Sequence, residues 1–404
     1  MSKISSIFAR EIIDSRGVPT VEVEIELTSH HIGMASVPSG ASTGSYEAHE
    51  LRDHEETRFF SKGVQNAVNL INTEIKETIL GFDALNQNEI DKLLIDLDGT
   101  NNKKRLGANS ILAVSLACAK AASNSLNMPL YKYIGGIQNL IPTPMMNIMN
   151  GGCHSNNKLD FQEFMIIPCG FETFKESLRA GCEIFNSLKN LLSIKNLSTS
   201  VGDEGGFAPD ISSNKECLDL IISAIEKAGY EPGKDIFLAL DAAASEFFNK
   251  NKYILSGESL ELDGEGLVKY FKNLIQNYPI ISIEDALDEN DWDNWNLLTK
   301  EIGSKCQLVG DDLFVTSSER LNDGINKKCG NSILIKLNQI GTISETIETI
   351  ELAKKNNFNT IISHRSGETE DTFISDFSVG MSSGQIKTGS LSRSERVCKY
   401  NQLL

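Results

Sequence analysis

From Pro142 onward, short apolar runs alternate with longer segments in which apolar residues recur at helical spacing. This alternation favours parallel strand pairing, because each helix returns the chain to the same edge of the sheet. About eight such units predict a closed (β/α)8-type barrel. An open doubly wound sheet is the alternative, disfavoured because no glycine-rich dinucleotide-binding motif opens the region. The runs predicted as strands are FQEFMIIP, STSVGDEGG, DIFLALDAA, PIISIEDAL, CQLVGDDL, SILIKLNQIG, TIISHRSGE and QIKTGS.

The residues before this region follow a different pattern. Over residues 4–40 apolar and polar residues alternate, most clearly in PTVEVEIEL, which predicts a three-stranded antiparallel meander. The alanine-rich segment that begins at Gly107 predicts a helix. We therefore predict a smaller α+β domain over residues 1–136 and a barrel domain over residues 137–404.

The composition argues against several classes of protein. The net charge of −17 disfavours binding to nucleic acid, because phosphate backbones attract proteins with a surplus of Lys and Arg. The eight cysteines are scattered singly, without a C-x-x-C pair, which is typical of a reducing compartment. The N-terminal residues do not resemble a signal peptide, and no run of about 18 apolar residues occurs. These features predict a cytoplasmic protein without a membrane span.

The apolar runs end in polar and charged residues. In a parallel barrel the C-terminal ends of the strands converge on one mouth, where barrel enzymes carry out their chemistry. A single charged residue after an apolar run is most simply the start of a solvated loop. Charged or polar residues at the ends of eight consecutive runs are improbable by chance. In chain order they are Gln162 with Glu163, Glu204, Asp241, Glu284, Asp311, Lys336, His364 with Arg365 and Ser366, and Lys387.

Three of these residues, Asp241, Glu284 and Asp311, are carboxylates without a basic neighbour in their runs. Oxygen ligands from three strands suit Mg²⁺, whereas zinc is disfavoured because no Cys or His accompanies them. The alternative is a structural ion network with Lys336 or Lys387. Lys336 lies in an apolar run, where burial and neighbouring cations favour a neutral amine that can act as a base. A lysine paired with a carboxylate is the other interpretation.

The motifs that contain these residues resemble those of the enolase family, from about Ile4 to Leu404. SHRSGETED is the most specific motif, whereas SGASTG alone would be weak. The resemblance implies a homodimer that dehydrates 2-phosphoglycerate to phosphoenolpyruvate. The motifs are SGASTG at 39–44, GDEGG at 202–206, SIED at 282–285, GDDL at 310–313, LIKLNQI at 334–340, SHRSGETED at 363–371 and QIKTG at 385–389.

The resemblance also implies a role for each candidate residue. It implies two Mg²⁺ ions, the first held by Asp241, Glu284 and Asp311, the second brought in with substrate by Ser42 on a mobile lid. Lys336 resembles the base that takes the C2 proton, and Glu204, supported by Glu163, the acid that protonates the leaving 3-hydroxyl. His154 matches a second lid. The substrate-binding residues implied are Gln162 and Lys387 at the carboxylate, Arg365 and Ser366 at the phosphate, and His364.

The sequence departs from the family pattern in three places. The second lid has Cys153 and Ser155 at positions where the family more often has other residues, and Val18 replaces the usual Asn. Relatives continue beyond the position of Leu404, which leaves open an impaired homologue that acts as a binding or scaffold protein. A superfamily lyase or racemase acting on a non-phosphorylated carboxylate is a further alternative.

Two motifs resemble those of hydrolases. DLDGT, from Asp96, matches a phosphatase signature whose first aspartate is a nucleophile, but it follows a helix-like segment instead of ending a buried strand. GASTG, from Gly40, matches a hydrolase nucleophile turn but lacks the strand–turn–helix context. Both interpretations are disfavoured.

Overall fold

The N-terminal part contains the predicted antiparallel meander. The computed structural model describes residues 2–41, 43–155, 157–211 and 213–404. The three strands pair in the order β1-β2-β3, and the apolar residues of β2 are fully buried on one face. The strands are β1 (Ile4–Ile13), β2 (Pro19–Leu27) and β3 (Ile32–Ser36).

The alanine-rich segment forms the central helix of this part, as predicted. Small residues on that helix allow the sheet to approach closely: a side chain added at Gly33 would lie 2.2 Å from the Ala117 carbonyl oxygen. A single π-helical turn, Ile71–Ile75, joins α1 to α2. The helices are α1 (Gln65–Leu70), α2 (Lys76–Ile79), α3 (Gln87–Asp98), α4 (Ala108–Ser125) and α5 (Leu130–Gly135).

Eight strands close into a barrel, which confirms the predicted fold class. Three short strands, β7 to β9, form a separate sheet outside it. The barrel order is β10-β11-β12-β13-β14-β4-β5-β6. The strands are β4 (Thr143–Asn150), β5 (Glu163–Ile167), β6 (Phe237–Asp241), β7 (Phe248–Asn249), β8 (Lys252–Leu255), β9 (Leu260–Leu262), β10 (Ile280–Glu284), β11 (Gln307–Gly310), β12 (Ser332–Ile335), β13 (Asn359–Ser363) and β14 (Gly384–Lys387).

Helices surround the barrel. Five of them are preceded by a capping residue, whose side chain accepts a hydrogen bond from the backbone N–H of the residue three positions later in the chain. Such caps satisfy donors that a helix leaves unpaired at its first turn. No helix of the described residues is long and apolar enough to cross a membrane. The helices are α6 (Phe174–Ile194), α7 (Asn214–Lys227), α8 (Gly264–Asn277), α9 (Trp292–Ile302), α10 (Ser318–Lys327), α11 (Leu337–Ile340), α12 (Ile343–Lys355), α13 (Phe373–Gly380) and α14 (Ser394–Leu403).

Two details of the predicted barrel are wrong. The run STSVGDEGG is not a barrel strand; it is a loop with one isolated bridge, between Val201 and Phe207, and the missing strand is β4. In addition, β5 pairs antiparallel with both β4 and β6, so the barrel is not wholly parallel. The remaining neighbours in the barrel pair in parallel.

Because β5 runs in the opposite direction to its neighbours, the loop between β4 and β5 and the loop between α6 and α7 both lie at the same mouth of the barrel. Because β5 runs backwards, its first residue, Glu163, lies at the mouth where the parallel strands end. The chain leaves β5 at the opposite face, ascends through the 21 residues of α6 and descends through α7 to β6. Glu204 lies in the loop at the tip of this helical hairpin, which takes the place of the predicted strand.

Candidate active site

The predicted residues meet at one mouth of the barrel. Asp241, Glu284 and Lys387 are the last residues of β6, β10 and β14, while Lys336 directly follows β12 and His364 directly follows β13. Strand register aligns several of them. Glu163, Asp241 and Glu284 form one row across β5, β6 and β10. A cavity among these strand ends is lined by His154, Gln162, Glu163, Glu204, Asp241, Lys336, Ser363, His364, Arg365, Ser366 and Lys387.

This cavity is small, with a volume of about 20 Å³, which is about enough for one water molecule. A cavity of about 590 Å³ lies elsewhere, beside the outer part of the N-terminal sheet. We assign the chemistry to the smaller cavity because lysines, carboxylates and an arginine from several strand ends converge on it, whereas the larger one is an open groove. A ligand of several carbon atoms can enter the smaller cavity only if neighbouring side chains or loops move.

Lys387 is the central cation of the mouth. Its Nζ atom lies 2.9 Å from Glu163 Oε1, 3.1 Å from Asp241 Oδ2 and 2.9 Å from Glu284 Oε1. Burial acts to lower the pKa of this lysine, but Asp241, Glu163 and Glu284 raise it well above its ordinary value. The lysine is therefore a permanent positive charge that offsets carboxylates from three neighbouring strands.

Lys336 pairs with a different carboxylate. Its ammonium group donates a very short hydrogen bond to Asp311 Oδ2, while Gln339 Nε2 donates to Asp311 Oδ1 at 2.8 Å. Burial acts to lower the pKa of Lys336, but Asp311 raises it above its ordinary value. A charged Lys336 is therefore favoured in this arrangement, because a carboxylate in direct contact outweighs burial. Both lysines thus form ion pairs with carboxylates predicted as metal ligands.

Glu204 is buried among hydrogen-bond donors. Asn147 Nδ2 donates to its Oε2 at 3.0 Å, and its Oε1 lies 3.4 Å from His364 Nε2 and 3.7 Å from His154 Nδ1. Burial acts to raise the pKa of Glu204, but His364, His154 and Arg396 lower it well below its ordinary value. A charged Glu204 is therefore favoured.

His364 lies beside Glu204 as a neutral ring. Arg396 Nη1 lies 2.5 Å from His364 Nδ1, and because a guanidinium can only donate, this ring nitrogen accepts. The ring hydrogen is then on Nε2, facing Glu204. Burial is the main reason that the pKa of His364 falls to about 3, and Arg396 adds to the effect.

Glu163 and Glu204 form an acidic pair, and His154 lies next to them. Ligand atoms of these three residues lie within 4.8 Å of one another. Burial, followed by repulsion from Glu204, raises the pKa of Glu163 well above its ordinary value. Two carboxylates at this distance do not readily carry two charges in a buried site. The pair therefore favours one proton, held on Glu163.

Arg365 has a partner that the sequence did not indicate. Its Nη1 and Nη2 atoms donate to the Oε2 and Oε1 atoms of Glu47 at 2.8 and 3.1 Å, a bidentate ion pair that is almost fully buried. The hydroxyl of Ser366 accepts a hydrogen bond from the Ala41 backbone N–H at 2.6 Å. Both proposed phosphate ligands thus contact the segment that follows β3. The predicted metal ligand Ser42 lies outside the described residues.

The predicted metal ligands offer a donor set that suits a hard cation. Asp241, Glu284 and Asp311 are buried carboxylates on three adjacent strands or their ends. Burial and then repulsion from Asp241 raise the pKa of Glu284 well above its ordinary value, and Asp311 adds to this. A divalent cation would replace this repulsion with attraction, so the residues fit Mg²⁺. Among the described residues, the three predicted ligands do not have ligand atoms within 4.8 Å of one another, whereas Asp311 does form such a group with Asp285 and Asp312.

Several contributing residues were missed in the sequence. Asn147 lies in β4, a strand that was not predicted, so its polar side chain in an apolar run was the available signal. Arg396 is fully buried although its segment is polar, and Glu47 and Gln339 act through tertiary contacts. No local pattern distinguishes these last three residues from solvated ones.

Neither hydrolase motif has the local structure that its hydrolase function requires. Asp96 lies within α3, is largely exposed and pairs with Lys92 at 3.0 Å one helical turn earlier. In the GASTG motif the described residues 40, 41, 43 and 44 belong to neither a strand nor a helix.

The fold and the mouth define a barrel enzyme whose buried lysines and carboxylates come from strand ends. Family models agree with this class: an enolase N-terminal domain matches residues 4–134, and the enolase C-terminal TIM barrel domain matches residues 138–404. The chain belongs to the enolase family, which places it among lyases of the enolase superfamily.

Proposed function

We propose that the chain is a cytoplasmic phosphopyruvate hydratase of glycolysis and gluconeogenesis, which interconverts 2-phospho-D-glycerate and phosphoenolpyruvate with Mg²⁺. The observation that carries the proposal is the convergence of a lysine, an acidic pair and a buried arginine on one small cavity beside a carboxylate row. Proton abstraction, loss of a hydroxyl and phosphate binding require these groups.

Asp241, Glu284 and Asp311 would hold the first Mg²⁺, and Ser42 would contribute to the second. Removing a proton next to a carboxylate places further negative charge on an anion, and bound Mg²⁺ supplies the positive charge that stabilises it. Lys387 and Gln162 lie beside the same carboxylate row, with Gln162 Nε2 3.2 Å from Asp241 Oδ2. They would orient the carboxylate end of the substrate.

Lys336 would act as the base that removes the C2 proton. Its raised pKa depends on Asp311, which is also a proposed metal ligand. Coordination of Asp311 to a cation would draw its charge away from the ammonium group. Burial, together with the positive charges of Arg365 and Lys387, would then lower the pKa of Lys336 and make the amine available.

Glu204 would deliver a proton to the leaving 3-hydroxyl, supported by Glu163. The pair favours one proton on Glu163, and a water molecule between the two carboxyl groups, whose oxygen atoms lie within 4.8 Å of one another, would pass it to Glu204. His154 Nδ1 and His364 Nε2 lie 3.7 and 3.4 Å from Glu204 Oε1. Loss of the hydroxyl as water requires an acid at this position, because hydroxide is a poor leaving group.

Arg365 and Ser366 would bind the phosphate. A planar guanidinium matches phosphate oxygens in a two-point contact, and burial strengthens the interaction. This pair disfavours the alternative of a superfamily lyase or racemase that acts on a non-phosphorylated carboxylate. The phosphate would compete with Glu47 for donors of Arg365.

The direct test is the ultraviolet absorbance of phosphoenolpyruvate formed from 2-phosphoglycerate by the purified chain. We expect product with Mg²⁺, none with excess EDTA, and none from D-glycerate, which lacks the phosphate. Restored activity after Mg²⁺ replaces the chelator would exclude irreversible damage. Folded protein that forms no product at saturating Mg²⁺ would contradict the proposal and favour a binding or scaffold role.

We also propose that the chain forms a homodimer through the outer face of the N-terminal sheet. Large apolar side chains are about half exposed there, among them Phe8 (51%) and Met34 (47%), and Glu24 lies between them in register. Exposed apolar groups with a polar surround are typical of interaction surfaces. Light scattering should give twice the 44.4 kDa chain mass, and Met34→Glu should lower it. A single-chain mass at micromolar concentration would contradict this assignment.

A further inference from the structure

The side chain of Gln339 joins two parts of the mouth that are distant in sequence. It is 1% exposed. Its Nε2 atom donates to Asp311 Oδ1 at 2.8 Å and to Glu47 Oε1 at 3.3 Å, and its Oε1 atom accepts from the Thr316 hydroxyl at 2.7 Å. Every polar atom of the buried amide therefore has a partner, which fixes its orientation.

The Glu47 side of this contact belongs to a segment that contacts residues at the mouth. Glu47 accepts hydrogen bonds from both terminal nitrogens of Arg365 and from the Gly44 backbone N–H at 3.0 Å. The next residue, Ala48, donates its backbone N–H to the Gln339 carbonyl oxygen at 2.8 Å. Gln339 thus holds this segment, residues 43–48, through both its side chain and its backbone.

The position of Gln339 in the chain strengthens the connection. It lies in α11, a single turn that directly follows Lys336. Its neighbour Asn338 accepts a hydrogen bond from Arg365 Nη1 at 3.1 Å. One turn of helix therefore contacts the proposed phosphate ligand through Asn338 and the proposed metal ligand through Gln339.

The amide is chemically suited to a place between two carboxylates. A second acid would repel both Asp311 and Glu47, and an apolar side chain would leave a buried carboxylate oxygen without a donor. A neutral donor satisfies Asp311 Oδ1 without adding a charge, so the carboxylate is held in one orientation. Glutamine is not an acid, it donates hydrogen bonds, and it carries no charge that would cancel the charge of Asp311.

We propose that Gln339 is a positioning residue that orients Asp311 for the cation and fixes segment 43–48 against Arg365, so that cation binding and phosphate binding at Arg365 influence each other. The proposal rests on the proposed function for the identity of the two ligands. It assigns no chemical step to Gln339, which acts through Asp311 and Glu47.

The test replaces Gln339 with methionine, which has similar length but cannot form the hydrogen bonds. Calorimetry measures Mg²⁺ binding with and without inorganic phosphate, and hydrogen exchange measures protection of segment 43–48. We expect Mg²⁺ to bind about 10–100-fold more weakly, as when other partners of metal ligands are removed. We also expect faster exchange in the segment. Unchanged Mg²⁺ affinity and unchanged exchange would overturn the proposal.

A matched control is Gln385→Met. Gln385 is a partly buried glutamine in β14, away from the mouth, and its amide exchanges two hydrogen bonds with Gln307 at 2.9 and 3.0 Å. The control loses a similar set of contacts, so we expect similar melting behaviour but wild-type Mg²⁺ affinity and exchange. Equal losses of Mg²⁺ affinity in both variants would show a general loss of stability and contradict the proposal.

A second variant, Glu47→Gln, tests the segment if Gln339→Met does not fold. Coupling factors between sites are typically about 5–150-fold. We expect phosphate to tighten Mg²⁺ binding by a factor in this range in the wild type and by a factor near one in either variant. An unchanged factor in Glu47→Gln would overturn the coupling. These readouts need no turnover, so an inactive wild type that shows them would refute the proposed function and leave the positioning role intact.

Discussion

Replacement of Lys336 by alanine is expected to lower turnover of 2-phosphoglycerate by at least the ~10²–10⁴-fold that loss of a general base produces. The reason lies in the geometry, since Lys336 is the amine beside the proposed metal ligand Asp311, in a cavity it shares with Arg365 and Glu204. Exchange of the substrate C2 hydrogen with deuterium from solvent should be lost together with turnover, because both require the same proton abstraction.

Steady-state rates and deuterium incorporation measured by mass spectrometry would check this result. The matched control is Lys103→Ala. Lys103 is a buried lysine that, like Lys336, has a carboxylate partner, Glu345 at 2.9 Å, but it does not line the site cavity. The control should keep near-normal turnover. Near-normal turnover in Lys336→Ala itself would remove Lys336 from the mechanism.

Replacement of Glu204 by glutamine should separate the two halves of the reaction. We expect turnover to fall by about 10²–10⁴-fold, because the leaving hydroxyl loses its acid. Deuterium exchange at C2 should continue, because Lys336 and the carboxylate row are unchanged. The amide has nearly the shape of the acid, and the donor Asn147 can still bond to its oxygen.

The same exchange experiment provides the check, with Asp91→Asn as the control. Asp91 is a buried carboxylate in α3 that accepts hydrogen bonds from Ser344 and lies outside the site cavity. The Asp91→Asn variant should retain both turnover and deuterium exchange at C2. If Glu204→Gln lost exchange as completely as Lys336→Ala, Glu204 would not be an acid acting after proton abstraction.

The sequence predicted the fold class and most positions at the mouth because their signals are local. A charge that follows an apolar run, as at Asp241, Glu284 and Lys387, indicates where a buried strand ends. The meander was equally readable, since side chains on a half-buried strand alternate at a period of two. These patterns reflect burial, which acts on each element separately.

Other features depend on how elements meet, and the sequence could not supply them. The strand β4 was missed because TPMMNIMN contains a proline and asparagines, and the polar loop around Glu204 was assigned in its place to complete eight units. The direction of β5 leaves no trace in its own residues. The charge on Lys336 depends on contact with Asp311, and the Glu47–Arg365 pair joins residues 318 positions apart.

The backward course of β5 also determines where the molecule tolerates added chain. After each of the other seven barrel strands, the next segment begins at the mouth, so an insertion there would crowd the substrate. After β5 the next segment, residues 168–173, begins at the base of the barrel, where Gly170 bonds to Asp235 and the Phe171 ring packs on Tyr230. A reporter peptide or fusion partner inserted beside the exposed Glu172 would therefore project away from the mouth and leave it unobstructed.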